Sequence, residues 1–134
     1  MTVDIPGPRD FEVPHHPEAS ALARTRTRAA LEQWGVDGET THHAVLVVSE
    51  LVANAVCHAK PQVTVEVGHE WTASGPVVRI TVADGGPLEC PVVPPEGDLD
   101  ERGRGLRIVE AICDETGVGC SDGRHVRWAV VPET

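Results

Sequence analysis

The sequence contains no tyrosine, one phenylalanine and three tryptophans, an aromatic share of only 3%. A folded core must therefore be assembled from valine, leucine, isoleucine and alanine. Basic residues are also scarce: 11 Lys and Arg stand against 21 Asp and Glu, a formal net charge of −10. General nucleic-acid affinity draws on clustered Lys and Arg that neutralise phosphates, so this balance argues against a direct nucleic-acid partner. The four cysteines (Cys57, Cys90, Cys113, Cys120) make no C-x-x-C pair and no zinc-finger spacing with a histidine pair. Free thiols in a reducing compartment are expected. Apolar runs fall far short of the ~20 residues needed to span a bilayer. The first ten residues show no basic start followed by an apolar stretch. A cytoplasmic protein without membrane association is expected.

What is present suits one domain over residues 1–134, with 40% hydrophobic and 24% charged residues. Residues 1–10 read as a loose arm, after which Phe11 and Val13 alternate with polar neighbours as a short edge strand would. Apolar positions Ala19, Leu22, Ala23, Ala30, Leu31 and Trp34 recur at helical spacing, with Gly35 as the stop. A second helix is expected from about Thr40 to Ala59, before Pro61. Val63, Val65 and Val67 alternate with polar residues, and a turn near Ala73–Pro76 leads into Val77–Ala83, which together predict a hairpin. Residues 87–104 then form a long Gly-, Pro- and acid-rich loop, a length usual for lids and binding loops. A third helix is expected from Leu106 to Glu115, broken by Gly117 and Gly119. A last strand, Val126 to Val131, follows a turn at Asp122-Gly123. The pattern predicts an α+β fold, a two-layer sandwich with helices on one face of a mixed, mainly antiparallel sheet.

The second helix carries the first chemical signal. Residues 45–59, VLVVSELVANAVCHA, are apolar in nearly every direction at about 100° per residue. Glu50, Asn54 and His58 are the exception, spaced i, i+4, i+8. Such a stripe is either a solvated or loop-satisfied face, or the lining of a pocket. In the second case Glu50 could accept a proton, Asn54 could offer a neutral oxygen to magnesium, and His58 could donate to a phosphate.

Two glycine turns add to it. Asp84-Gly85-Gly86-Pro87 ends a strand, where a carboxylate can accept from an exocyclic amine; an ordinary Asp-Gly turn is the alternative. Gly103-Arg104-Gly105-Leu106 opens the third helix, where backbone N–H groups and the helix dipole favour phosphate; a plain glycine-bearing cap is the alternative. Arg102, Arg104 and Arg107 make a basic cluster in an otherwise acidic chain.

Taken in order, the Glu50–Asn54–His58 helix, the Asp84-x-Gly86 turn and Gly103-x-Gly105-Leu106 resemble the Bergerat-fold ATPases. The segments SELVANAVCHA and GRGLRIVEAI are similar to the branch of anti-sigma-factor serine/threonine kinases. The resemblance runs from about Phe11 to Val131 and implies the histidine-kinase-like ATPase fold, with ATP and Mg2+ as cofactors. It implies that Glu50 is the general base and that Asn54 coordinates magnesium. Asp84 would contact the adenine amine, with Gly86 giving close approach. Gly103 and Gly105 would hold phosphates at the end of an ATP lid, residues 87–104. The implied activity is phosphoryl transfer to a Ser or Thr of a protein antagonist, together with sequestration of a sigma factor. Family members commonly dimerise, which implies a homodimer.

Two departures qualify the family pattern. Leu88 stands where a second lid glycine often lies, and Gly123-Arg124-His125 lacks the threonine that often helps to hold adenine; His125 is expected to be a turn residue. They leave open a non-catalytic interaction module with weak or lost nucleotide binding. The catalytic piece of a sensor kinase is disfavoured by the short stretch before the motifs. A metal enzyme built on His15, His16, His42 and His43 is disfavoured because adjacent histidines point apart.

Overall fold

The computed structural model describes residues 7–87 and 107–133. The order of elements is β1 (Arg9–Val13), α1 (Ala19–Gln33), α2 (Gly38–His58), β2 (Val63–Thr72) and β3 (Gly75–Asp84). Helical residues 107–112 come next. β4 (Glu115–Ser121) and β5 (Arg124–Pro132) close the chain. The strands form one five-stranded sheet in the order β1-β2-β3-β5-β4, and all four pairings are antiparallel. The helices pack on one face of it, the expected α+β sandwich. The strand reading of Phe11 and Val13 extends back to Arg9, so β1 takes in the last two residues of the stretch expected as an arm.

Local chemistry sets the helix ends. In α1 the buried residues Ala19, Ala23, Thr27, Ala30 and Leu31 make one stripe. The helix stops where Gly35 turns to φ +75°. There the amide of Gly35 donates to the Glu32 carbonyl and that of Val36 to the Leu31 carbonyl, the double closure of a Schellman end. Asp37 then caps α2: its carboxylate accepts from the Thr40 amide at 3.0 Å and from the Thr40 hydroxyl at 2.7 Å. α2 buries Ala44, Val45, Val47, Val48, Leu51, Val52 and Ala55, so it is enclosed between α1 and the sheet, as its nearly all-round apolarity requires.

The inner face of the sheet follows from alternation. Val63, Val65 and Val67 of β2, Val78, Ile80 and Val82 of β3, and Ala129 and Val131 of β5 are all at most 1% exposed. The same alternation carries Asp84 onto this inner face, two residues beyond Val82.

The structure corrects one element. The stretch around Gly117 and Gly119, expected to break a helix reaching Glu115, is strand β4, and the helical residues end at 112. Gly117 lies opposite Trp128, and a Cβ on it would come 2.3 Å from an indole carbon. The glycine is there because the Trp128 ring lies over the strand, not because the chain stops. The expected turn at Asp122-Gly123 is present with both residues at positive φ, 51° and 77°, the signature of a two-residue hairpin turn.

Candidate functional site

Glu50, Asn54 and His58 rise along one face of α2, each about one turn from the next, and all three are half-buried. Two contacts from α1 fix the start of that stripe. Ser20 donates its hydroxyl to the Ser49 carbonyl at 3.3 Å, and Arg24 donates to the Ser49 hydroxyl at 2.9 Å. The far end is fixed too. His15, between β1 and α1, bonds the Ala59 carbonyl through Nε2 at 2.7 Å. His15 thus serves as a structural donor, and His16 Nδ1 accepts from the Glu18 amide at 3.1 Å. Among the described residues no group of three or more His, Cys, Asp or Glu could hold a metal ion.

Directly after α2 the chain is stitched to the Asp84 turn. The Lys60 amide donates to the Gly86 carbonyl and the Gly85 amide donates to the Lys60 carbonyl, both at 2.8 Å. Ala59 and Pro87 form a further bridge. The end of the polar stripe and the end of β3 are therefore one unit.

Asp84 is the buried charge of this unit, 4% exposed. Its Oδ1 accepts from the Gly86 amide at 2.8 Å. A buried carboxylate needs such donors to offset the water it has lost. Oδ2 faces the Nδ1 of His125 at 3.6 Å. His125 is a residue of β5, the direct cross-strand partner of Asp84, and not the turn residue expected; the turn ends two residues earlier. Its neighbour Arg124 donates to the Gln62 and Ala83 carbonyls, tying the loop after α2 to the end of β3.

The two glycines of the turn do different work. Gly85 packs against the protein's own backbone, where a Cβ would lie 2.3 Å from the Pro61 carbonyl oxygen. Gly86 instead supplies a positive φ of 95°, and a Cβ there would meet no described atom within 4 Å. Among the described residues the turn is thus tight against the protein at Gly85 and open at Gly86.

Gly103, Arg104, Gly105 and Leu106, together with Leu88 and residues 88–104 of the expected lid, lie outside the described residues. Helical residues 107–112 follow, with Val109 in the core. Between them, α2 and the β4–β5 hairpin is a cavity of about 280 Å³ lined by Leu51, Val109, Thr116, Val118, Arg127 and Trp128, among others. None of Glu50, Asn54, His58 or Asp84 lines it.

The donor set has a clear chemical character. A single carboxylate oxygen is presented beside an open glycine turn, which suits a planar base bearing an amine. A half-buried amide and carboxylate one turn apart suit a hard cation that keeps water and phosphate among its ligands. Sequence reasoning missed the reach of His15 to Ala59, the packing of Gly85 on Pro61, the bonds of Arg124 and the pairing of His125 with Asp84.

A family model, the histidine kinase-like ATPase domain, matches residues 13–129. The chain belongs to that family, and membership of an ATPase family implies ATP binding. Solved structures agree on the fold. One is of the RsbU and RsbW domains of Rv1364c from Mycobacterium tuberculosis, at TM-score 0.69 and 21% identity. The match covers 96% of this chain and 33% of that one, so this domain spans about a third of that longer protein. Another is the SiaB–SiaC complex from Pseudomonas aeruginosa, at TM-score 0.54 and 15% identity, covering 92% of this chain and 88% of that one. A search of curated proteins gave no match. Among the described residues no helix is long and apolar enough to cross a membrane.

Proposed function

We propose that this domain binds ATP with magnesium and is a cytoplasmic serine/threonine protein kinase of the anti-sigma type. On this reading it phosphorylates a protein antagonist and sequesters a sigma factor, acting as a homodimer. The observation that carries the reading is the junction of the α2 stripe with the buried Asp84 turn. Family membership and the fold likeness to the RsbW domain and SiaB support it, and the SiaB–SiaC structure is itself of a protein complex.

Each residue has a role on this reading. Asp84 accepts from the exocyclic amine of adenine through Oδ2, and Gly86 leaves room for the ring. Asn54 gives its amide oxygen to magnesium, whose charge offsets that of the phosphates when it is bound. His58, at the end of α2, donates to phosphate oxygen. Gly103, Arg104, Gly105 and Leu106 cradle the phosphates through backbone amides. Glu50 takes the proton of the attacking serine or threonine hydroxyl as the phosphoryl group is transferred.

A second reading has its own support. His125 occupies the inner face beside Asp84, and Pro87-Leu88 replaces a glycine-bearing lid start, which suits an interaction module with weak nucleotide binding. Transfer of the γ-phosphoryl group from labelled ATP to a candidate antagonist separates the two. The kinase reading expects transfer by the wild type and its loss in Glu50→Ala. Equal transfer by Glu50→Ala removes Glu50 from the catalytic role, and binding without transfer favours the module.

A further inference from the structure

Asp84 and His125 face each other in the β3–β5 ladder, both on the face turned toward α2. The Asp84 side chain is 6% exposed and that of His125 31%. One carboxylate oxygen is committed, because Oδ1 accepts from the Gly86 amide at 2.8 Å. The other, Oδ2, lies 3.6 Å from His125 Nδ1, longer than a hydrogen bond and short enough to become one with a small rotation.

The terminal torsion of an aspartate is broad, so one hydrogen bond leaves the direction of Oδ2 loosely set. Fixing it takes a second contact. Two neighbours on β4 and β5 are placed as follows. Arg124 donates from one guanidinium nitrogen to the Gln62 and Ala83 carbonyls, with its Nε buried and without a hydrogen-bond partner, and Cys120, opposite His125 on β4, is exposed. A carboxylate beside an imidazole favours the tautomer with the proton on the facing nitrogen, here Nδ1.

We propose that His125 is a specificity-determining positioning residue: it holds Oδ2 of Asp84 in the direction from which a purine's exocyclic amine is read. The inference rests on the reading of Asp84 as the base-recognising group. It adds that discrimination between purines with and without the amine depends on the cross-strand histidine. An oxygen held in that direction gains a further hydrogen bond from a purine that carries the amine and none from a purine that lacks it.

The test is a pair of titrations, the magnesium salts of ATP and of purine riboside triphosphate, which lacks the amine, into the full chain. The wild type is expected to prefer ATP by roughly tenfold or more, the scale of a hydrogen bond to a charged group. His125→Val, a residue suited to a half-buried strand, is expected to bring the preference close to unity while binding of purine riboside triphosphate changes little. His125→Asn, whose amide nitrogen stands near the Nδ1 position, is expected to keep most of the preference. His125→Leu replaces the valine variant if circular dichroism shows that valine disturbs the fold. Equal weakening of both nucleotides, or an unchanged preference in the valine variant, overturns the inference. Asp84→Ala tells which reading fails. A preference that depends on Asp84 and not on His125 sinks only the role of His125. No preference in the wild type, or no binding of either nucleotide, sinks the reading of Asp84 and the inference with it.

Discussion

Gly85 and Lys60 hold the end of β3 against the end of α2: the Gly85 amide donates to the Lys60 carbonyl at 2.8 Å, and the backbone there leaves no room for a side chain. A Cβ on Gly85 would sit 2.3 Å from the Pro61 oxygen and 3.1 Å from the Lys60 oxygen. Backbone cannot step aside as a flexible side chain can. Gly85→Ala is therefore expected to cost about 1–3 kcal/mol, the range for overpacked sites. It should also weaken nucleotide binding, because it moves Asp84 relative to α2. Thermal unfolding and nucleotide titration of the variant check both effects; an unchanged melting temperature contradicts the contact.

The cap on α2 gives a second prediction. Asp37 satisfies both the amide and the hydroxyl of Thr40 at the start of the helix that carries the polar stripe. Asp37→Ala should lower stability by about 0.5–2 kcal/mol, read as a reduced urea midpoint with little change in slope. Asp37→Asn should recover much of the loss, since asparagine also caps.

A third prediction concerns the thiols. Desolvation by burial, helped by the neighbouring Asp114 charge, raises the Cys113 thiol from 9.0 to about 11. Cys57 and Cys120 are exposed. Because the thiolate is the reactive form, alkylation of Cys113 at mildly alkaline pH should lag behind that of Cys57 and Cys120, as peptide mass mapping would show. The same shift has a consequence for stability. Well below pH 9 the thiol is protonated in both folded and unfolded chains and contributes no pH dependence. Between about 9 and 11 the unfolded chain releases the proton while the folded one keeps it, so stability falls as pH rises. Cys113→Ser should flatten that part of the pH profile.

Much of this architecture was legible in the residues, for physical reasons. The stripe on α2 stood out because every other direction of that helix is apolar. The β2–β3 hairpin was visible because Val63, Val65 and Val67 alternate cleanly. Gly35 and Asp122-Gly123 were read correctly because they adopt backbone angles that few other residues take up. β4 was not legible. It lies at the sheet edge, most of it is exposed, and its glycines resemble helix breakers until Trp128 is seen lying over Gly117.

The site divided in the same way. Side chains at fixed spacing on one element could be grouped from sequence, as Glu50, Asn54 and His58 were. Relationships across elements could not. That His15 reaches Ala59 depends on how α1 and α2 pack. That His125 faces Asp84 depends on β5, rather than β4, lying beside β3. Without the strand order, the residue after a hairpin turn reads as part of the turn.

On the proposed reading, the α2 stripe and the Asp84 turn make a magnesium-nucleotide pocket. The most direct test is calorimetric titration of ATP, with and without magnesium, into the wild type and Asn54→Ala. Saturable binding is expected that depends on magnesium and is weakened about tenfold or more by Asn54→Ala, with the fold intact by circular dichroism. Absence of binding at millimolar ATP, or equal affinity in Asn54→Ala, would contradict it.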